Sequence, residues 1–284
     1  MAFMAKFHRL EVGMWTIRRK SGGWWRLPRV FGVGLPRIRP VFLHIPKTAG
    51  LSIRHALAER YNPCWSVSVT VDGDMPRVWT MPEWKFHRCA YYAGHFGMET
   101  VRRVTAEKFV FTFLREPFDR VLSHYYYFKR EDIPIQGAKL AKKLPLLDYL
   151  KCDDPAVRDS MEDRQARQLI ESEDALERRV LTMAADPKTR AAAAIMMLGE
   201  FDIVGLTERF NESLDIISHA IGVKLTAHRD NQTADRPSAN DLSLAERDAV
   251  EQLIQADRIV YRWAVEMWNG RHIRGKGCGR SAFE

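Results

Sequence analysis

The sequence predicts an α/β protein built on a parallel central sheet flanked by helices. Three observations carry that prediction. Short apolar runs of strand character alternate with stretches of helical period along the chain. One run, Phe109-Val110-Phe111-Thr112-Phe113-Leu114, is apolar on both faces, as a strand at the centre of a parallel sheet has to be. Strand ends are followed at once by helix-start signals, the pattern of a doubly wound sheet. With 284 residues, 46% of them apolar, the chain is long enough for one large α/β domain with a sizeable core.

The elements follow in order. Arg37–Pro40 closes a basic leader, and Val41-Phe42-Leu43-His44-Ile45 reads as the first strand. Pro46-Lys47-Thr48-Ala49-Gly50 breaks it, and Leu51–Arg60 has helical period with Ile53, Ala56 and Leu57 on one side. Residues 62–82 carry Pro, Gly and Asp punctuation around a strand at Trp65–Val71. Tyr91–Phe96 is a further short strand ending in a turn, and Phe109–Leu114 is the central one. Pro117 suits the first turn of a helix running through Arg130.

Residues 138–199 read as several charged helices, one capped by Asp154 with Pro155 at its first position, and Ala191–Leu198 as a buried helix. Phe201–Leu206 is the last strand, leading into a helix over Glu208–Ile221. Ser243-x-x-Glu246 is a capping box that opens the C-terminal helix, whose apolar face runs from Val250 to Trp268. Asp257 falls on that face, so it requires a buried base or backbone donors as partners.

Composition excludes several classes. It is ordinary for a globular chain, which rules out disordered, collagen-like and disulfide-dense proteins. No apolar run approaches the roughly 18 residues of a membrane span, and the basic start lacks the apolar core of a secretory signal. Cys64, Cys89, Cys152 and Cys278 stand apart, without the spacing of a zinc site, as expected of reduced thiols in the cytoplasm.

Charge divides the chain into a basic aromatic arm over residues 1–40 and a single domain over 41–284. The arm holds nine Lys/Arg against Glu11 alone, leaving 35 basic and 35 acidic residues in the other 244. Phe3, Phe7, Trp15, Trp24, Trp25 and Phe31 are interleaved with the basic residues. Such an arm suits an anionic membrane surface, where each basic residue contributes about 1 kcal/mol and aromatic rings favour the interface. That reading makes the protein peripheral at the inner face of the membrane. The arm equally suits an anionic polymer, or simple packing on the domain.

Two strand-to-helix junctions carry polar residues that the fold alone does not require. The first is His44-Ile45-Pro46-Lys47-Thr48-Ala49-Gly50-Leu51-Ser52. A tight loop between strand and helix aims free backbone N–H groups and the positive helix end at one point, which makes an anion site. Lys47 adds a mobile charge, and Thr48 and Ser52 add hydroxyls. The segment is P-loop-like yet departs from G-x-x-x-x-G-K-[ST], because Val41 and Pro46 stand where the motif has glycines. The second junction is Arg115-Glu116-Pro117-Phe118-Asp119-Arg120-x-x-Ser123. Arg115 ends the central strand, at the sheet edge where α/β proteins bind ligands, and Arg holds phosphate through paired hydrogen bonds. Two anion grips on one edge suggest a ligand with phosphates at two places.

His44-Ile45-Pro46-Lys47-Thr48-Ala49-Gly50-x-Ser52 together with Arg115-x-Pro117-x-x-Arg120-x-x-Ser123 resembles the 5′-phosphosulfate and 3′-phosphate motifs of the carbohydrate sulfotransferases, in particular the family that includes the uronyl 2-O-sulfotransferases. The likeness continues through Gly94-His95, Val204-Gly205-Leu206-Thr207-Glu208-Arg209-Phe210, Asn231 and Asp257-x-x-x-Tyr261. It spans about residues 40–270 and is dense only at these motifs.

The resemblance implies a P-loop-like sulfotransferase fold and the donor substrate 3′-phosphoadenosine 5′-phosphosulfate. It implies that the loop with Lys47, Thr48, Ala49, Gly50 and Ser52 holds the 5′ end, and that Arg115 and Ser123 hold the 3′-phosphate. Lys47 and His95 are the implied catalytic pair, one stabilising charge on the leaving oxygen and one taking the acceptor's proton. A carbohydrate or glycolipid acceptor is expected, and neither a metal nor a nucleic acid partner. The residues alone leave two other readings open: a Mg²⁺-dependent kinase with a P-loop-like site, and a non-catalytic anion-binding protein at a membrane surface.

Overall fold

Five parallel strands form the sheet: β1 Arg39–Leu43, β2 Ser66–Val69, β3 Tyr91–Gly94, β4 Lys108–Leu114 and β5 Ile203–Leu206, in the order β2-β3-β1-β4-β5. The computed structural model describes residues 36–61, 66–69, 78, 80–170, 186–226 and 237–270. The arm up to residue 35, Cys64, Asn231 and Cys278 lie outside them. β1 starts at Arg39, so Arg39 and Pro40, read as the end of the arm, are sheet residues paired with Lys108 and Phe109.

β1 is the middle strand, and the chain winds to β2 and β3 on one side and to β4 and β5 on the other. The carboxyl ends of β1 and β4 therefore border the crevice at the point where the winding reverses. Val110–Leu114 of β4 are buried, and Phe111 stacks on Phe42 of β1 at 5.0 Å between ring centroids. Gly205 of β5 lies beneath the Phe113 ring. A Cβ there would approach that ring to 2.8 Å, which accounts for the glycine in Val204-Gly205-Leu206.

Twelve helices lie among the described residues: α1 Gly50–Arg60, α2 Glu83–Phe86, α3 Met98–Arg103, α4 Pro117–Arg130, α5 Gln136–Lys143, α6 Leu146–Leu150, α7 Pro155–Met161, α8 Arg164–Ile170, α9 Pro187–Leu198, α10 Phe210–Ile221, α11 Leu244–Leu253 and α12 Gln255–Asn269. One core surrounds the sheet; a second joins α4 to α5, α6, α7 and α11 through Phe118, Val121, Leu122, Tyr125, Tyr149 and Val250. The expected caps are present. Asp154 accepts from Ala156 N at 2.9 Å with Pro155 behind it, and Ser243 and Glu246 form the capping box.

Two expectations need correction. The 191–198 segment is buried on one face only: Ala191, Ala194 and Leu198 face the core, while Met196 is exposed. The C-terminal segment is two helices rather than one, broken at Ile254. The break exists because Asp163 inserts there. Its N–H donates to Leu253 O (2.7 Å), and its carboxylate accepts from Ala256 N (2.8 Å) and Asp257 N (3.1 Å). In return the Asp257 carboxylate accepts from Gln165 N (3.2 Å) and Ala166 N (2.7 Å) at the start of α8. The two aspartates cap each other's helices, and Asp257 finds the backbone donors that its position demanded.

Candidate active site

The two polar junctions lie side by side, because β1 and β4 are adjacent and parallel. Thr112 Oγ1 donates to Leu43 O at 2.8 Å and ties the two strand ends together. The β1–α1 loop then turns sharply, with Lys47 at φ 72° and Ala49 at φ 65°. Each left-handed non-glycine residue costs about 1 kcal/mol. The loop thus makes, with Lys47 and Ala49, turns that a glycine-rich loop makes without strain. Ala49 provides no side-chain cap and the first turn of α1 carries no acid, so the positive end of this eleven-residue helix is not offset by a cap or acid of its own.

Gly50, the first residue of α1, is required by close approach. A Cβ there would lie 1.7 Å from His44 Nε2, since the imidazole packs flat against this Cα. His44 in turn meets His95, from the end of β3, at 4.5 Å between ring centroids. His44 therefore touches both the loop and the candidate base, a role its sequence position did not reveal.

The second junction is built differently. Glu116 caps α4 by accepting from Asp119 N at 2.7 Å, and Pro117 occupies the first turn. That helix end is sealed, so any anion grip here belongs to side chains. Arg115 Nη1 donates to Lys47 O at 3.3 Å and Arg115 pairs with Asp119 at 3.7 Å, which joins the second junction to the first. Ser123 is buried two turns along α4.

Arg120 is fully buried and braces the loop from beneath. Its Nε donates to Pro46 O (3.3 Å), and its Nη2 to Ser160 O (2.7 Å) and His124 Nδ1 (3.3 Å). The neighbouring acid Glu116 pairs with Arg258 instead. Thr48 is likewise internal: its hydroxyl donates to Ile45 O at 2.8 Å and is not offered to a ligand.

The electrostatics favour an anion. Lys47 Nζ lies 3.8 Å above the Tyr127 ring, and its pKa is pushed down to about 8 by burial and then by Arg115, Arg130 and Arg120. His95 is pushed down to about 3 by burial and by Arg164 and Arg54, so it is a neutral imidazole at pH 7. Its Nε2 is buried without a partner among the described residues, as are His44 Nδ1, His124 Nε2 and Arg120 Nη1. Buried polar atoms in folded proteins are nearly always partnered, and these bare ones leave hydrogen-bonding capacity for a bound ligand.

Three supporting side chains carry no signal in the sequence. Gln165 bonds both backbone groups of Arg115, accepting from N (2.9 Å) and donating to O (3.0 Å), as a neighbouring strand would. Gln168 Nε2 donates to His44 O at 2.9 Å. Both come from α8, far along the chain from the strands they terminate, and Tyr127 lies among four consecutive aromatic residues that read as core.

The profile of the sulfotransferase family matches residues 36–269, spanning all five strands and both junctions. The chain belongs to this sulfotransferase family. No curated protein matches it. Mouse sulfotransferase SULT7A1, whose crystal structure is complexed with PAP, aligns at 13% identity over 84% of this chain and 89% of that chain, with a TM-score of 0.31. So distant a likeness has no bearing on the site of this sulfotransferase. Its candidate site rests on its own residues: Lys47, Thr48, Ala49, Gly50, Ser52, His95, Arg115 and Ser123 lie at the ends of β1, β3 and β4, in the first turn of α1 and in the first two turns of α4.

Proposed function

We propose that this sulfotransferase moves the sulfuryl group of 3′-phosphoadenosine 5′-phosphosulfate to a hydroxyl of a carbohydrate or glycolipid acceptor. The observation that carries the donor assignment is the linkage of the two junctions. An uncapped helix end with Lys47 faces the crevice beside Arg115, and Arg115 bonds the lysine's own carbonyl. A nucleotide charged at both ends matches that pair of grips. The acceptor class rests on the motif resemblance.

In this reading the N–H groups of Thr48, Ala49 and Gly50 and the hydroxyl of Ser52 bind the 5′ end, and Arg115 with Ser123 binds the 3′-phosphate. Lys47 compensates the negative charge that develops on the 5′-phosphate oxygen as its bond to sulfur breaks. The acceptor oxygen forms the new bond to sulfur, and its proton passes to Nε2 of the neutral His95. The products are the sulfated acceptor and adenosine 3′,5′-bisphosphate. A donor with several negative charges raises the basicity of His95 when it binds, opposing Arg164 and Arg54.

A thermal-shift comparison tests this. Adenosine 3′,5′-bisphosphate is expected to raise the melting temperature equally with Mg²⁺ and with a chelator, and more than ATP does. Stabilisation by ATP that requires Mg²⁺ contradicts the reading and favours phosphoryl transfer. Transfer of labelled sulfate to a panel of glycans and glycolipids then tests the acceptor class.

A further inference from the structure

His124 is a buried imidazole that the reaction described above does not use. It lies one turn after Arg120 on α4 and is 5% exposed. The Arg120 guanidinium, which only donates, directs Nη2 at His124 Nδ1 from 3.3 Å. Nδ1 is therefore the accepting nitrogen and bears no hydrogen. Burial and the charges of Arg120 and Lys47 keep the ring neutral, so its single N–H is on Nε2.

That N–H is buried and has no acceptor among the described residues; neither does Arg120 Nη1, whose sister nitrogens are committed to Pro46 O, Ser160 O and His124. The charges that act most strongly on His124 are those of Arg120, Lys47, Arg164 and His95, and none of these is an acid. Two fixed donors thus lie without an acceptor among the described residues, on side chains that feel Lys47 and, through Arg120, hold the carbonyl of Pro46 next to it.

Resting on the function proposed above, we infer that His124 is a further binding residue for the reacting group, its Nε2–H donating to a sulfuryl oxygen of the donor alongside Arg120 Nη1. The committed lone pair on Nδ1 excludes His124 as the base and leaves that role to His95. A donor aimed at oxygens that stay with the moving sulfur assists both binding and transfer.

The test separates sulfuryl from phosphate recognition. For the full-length His124→Phe protein, calorimetry should show adenosine 3′,5′-bisphosphate bound within twofold of wild type, and 3′-phosphoadenosine 5′-phosphosulfate weakened about 10- to 100-fold, the range of a lost hydrogen bond to a charged group. His124→Gln, which keeps a side-chain N–H, should recover part of that loss. Equal losses for both ligands, or none for either, overturn the inference, the first marking a structural brace and the second a site filled by water. Should the variants not fold, ¹⁵N spectra of wild-type histidines decide: the His124 Nε2–H signal should move with the phosphosulfate and not with the bisphosphate, and an unmoved signal overturns the inference. Wild type that binds neither ligand overturns the proposed function itself.

Discussion

His44 lies so close to Gly50 that a Cβ on the glycine would sit 1.7 Å from the ring's Nε2. Gly50→Ala therefore expels the imidazole from its place against His95, and overpacking of this kind costs about 1–3 kcal/mol. The double variant Gly50→Ala/His44→Ala should regain at least half of the stability lost in the glycine single variant. Chemical denaturation of the four proteins measures that coupling. Strict additivity would show that the contact plays no part.

Asp163 and Asp257 cap one another's helices but differ in their counter-charges. Arg190 Nη1 donates to Asp163 at 2.6 Å, both side chains being buried. Asp257 is pushed up to about 7 by burial and by the Asp163 charge, so it holds its own charge far less firmly than a free carboxylate. Asp163→Asn is expected to cost about 3 kcal/mol because it removes the carboxylate nearest a buried guanidinium, leaving Glu162 at 3.6 Å. Asp257→Asn should cost under about 1 kcal/mol, and Asp257→Ala more, by loss of the cap. Thermal melts of the three variants give the order, and equal losses for the two Asn variants would contradict it.

His44, His95 and His124 are all held neutral, chiefly by burial. The unfolded chain takes up a proton at each as pH falls through about 6.5, and the folded chain does not. The unfolded state then binds more protons, so stability falls as pH falls, by up to about 1.4 kcal/mol per unit for each histidine. Asp163 and Asp257, both raised, act in the opposite sense, since they keep protons in the folded state. Three groups oppose two, and the unfolding free energy should be lower at pH 5 than at pH 7. A flat profile would mean that the histidines are not buried neutral.

Lys47, pushed down to about 8, loses its charge as pH rises through that value. Affinity for adenosine 3′,5′-bisphosphate should be level near pH 7 and fall by about tenfold by pH 9.5, an effect of the size of one charged hydrogen bond. In Lys47→Ala the slope should vanish and sulfuryl transfer with it, while the protein stays folded. Calorimetry across that range checks the slope, and a variant that retains full turnover removes the role given to the lysine.

The sheet was legible because its signals are local. Phe109–Leu114 alternates too little to be a surface strand, and Pro117, Asp154 and Ser243 mark helix starts within a few residues. The break at Ile254 was not, because it is imposed by Asp163, which lies some ninety residues away in the chain. The motif residues of the site were readable, but what braces them was not. Gln165 and Gln168 look like surface residues of a charged helix until α8 packs against the ends of β1 and β4. Nor does the motif around Arg120 reveal its partners, which are two backbone carbonyls and an imidazole.

The central claim is that one nucleotide is held at its two ends by the turns after β1 and β4. Calorimetry on Arg115→Ala tests it most directly, because the arginine's contact to Lys47 O is long, at 3.3 Å, and the loop should survive its loss. Adenosine 3′,5′-bisphosphate should bind about 10- to 100-fold more weakly, as when a charge-assisted hydrogen bond is removed, with adenosine 5′-phosphate within twofold of wild type. Equal weakening of the two ligands would contradict the claim.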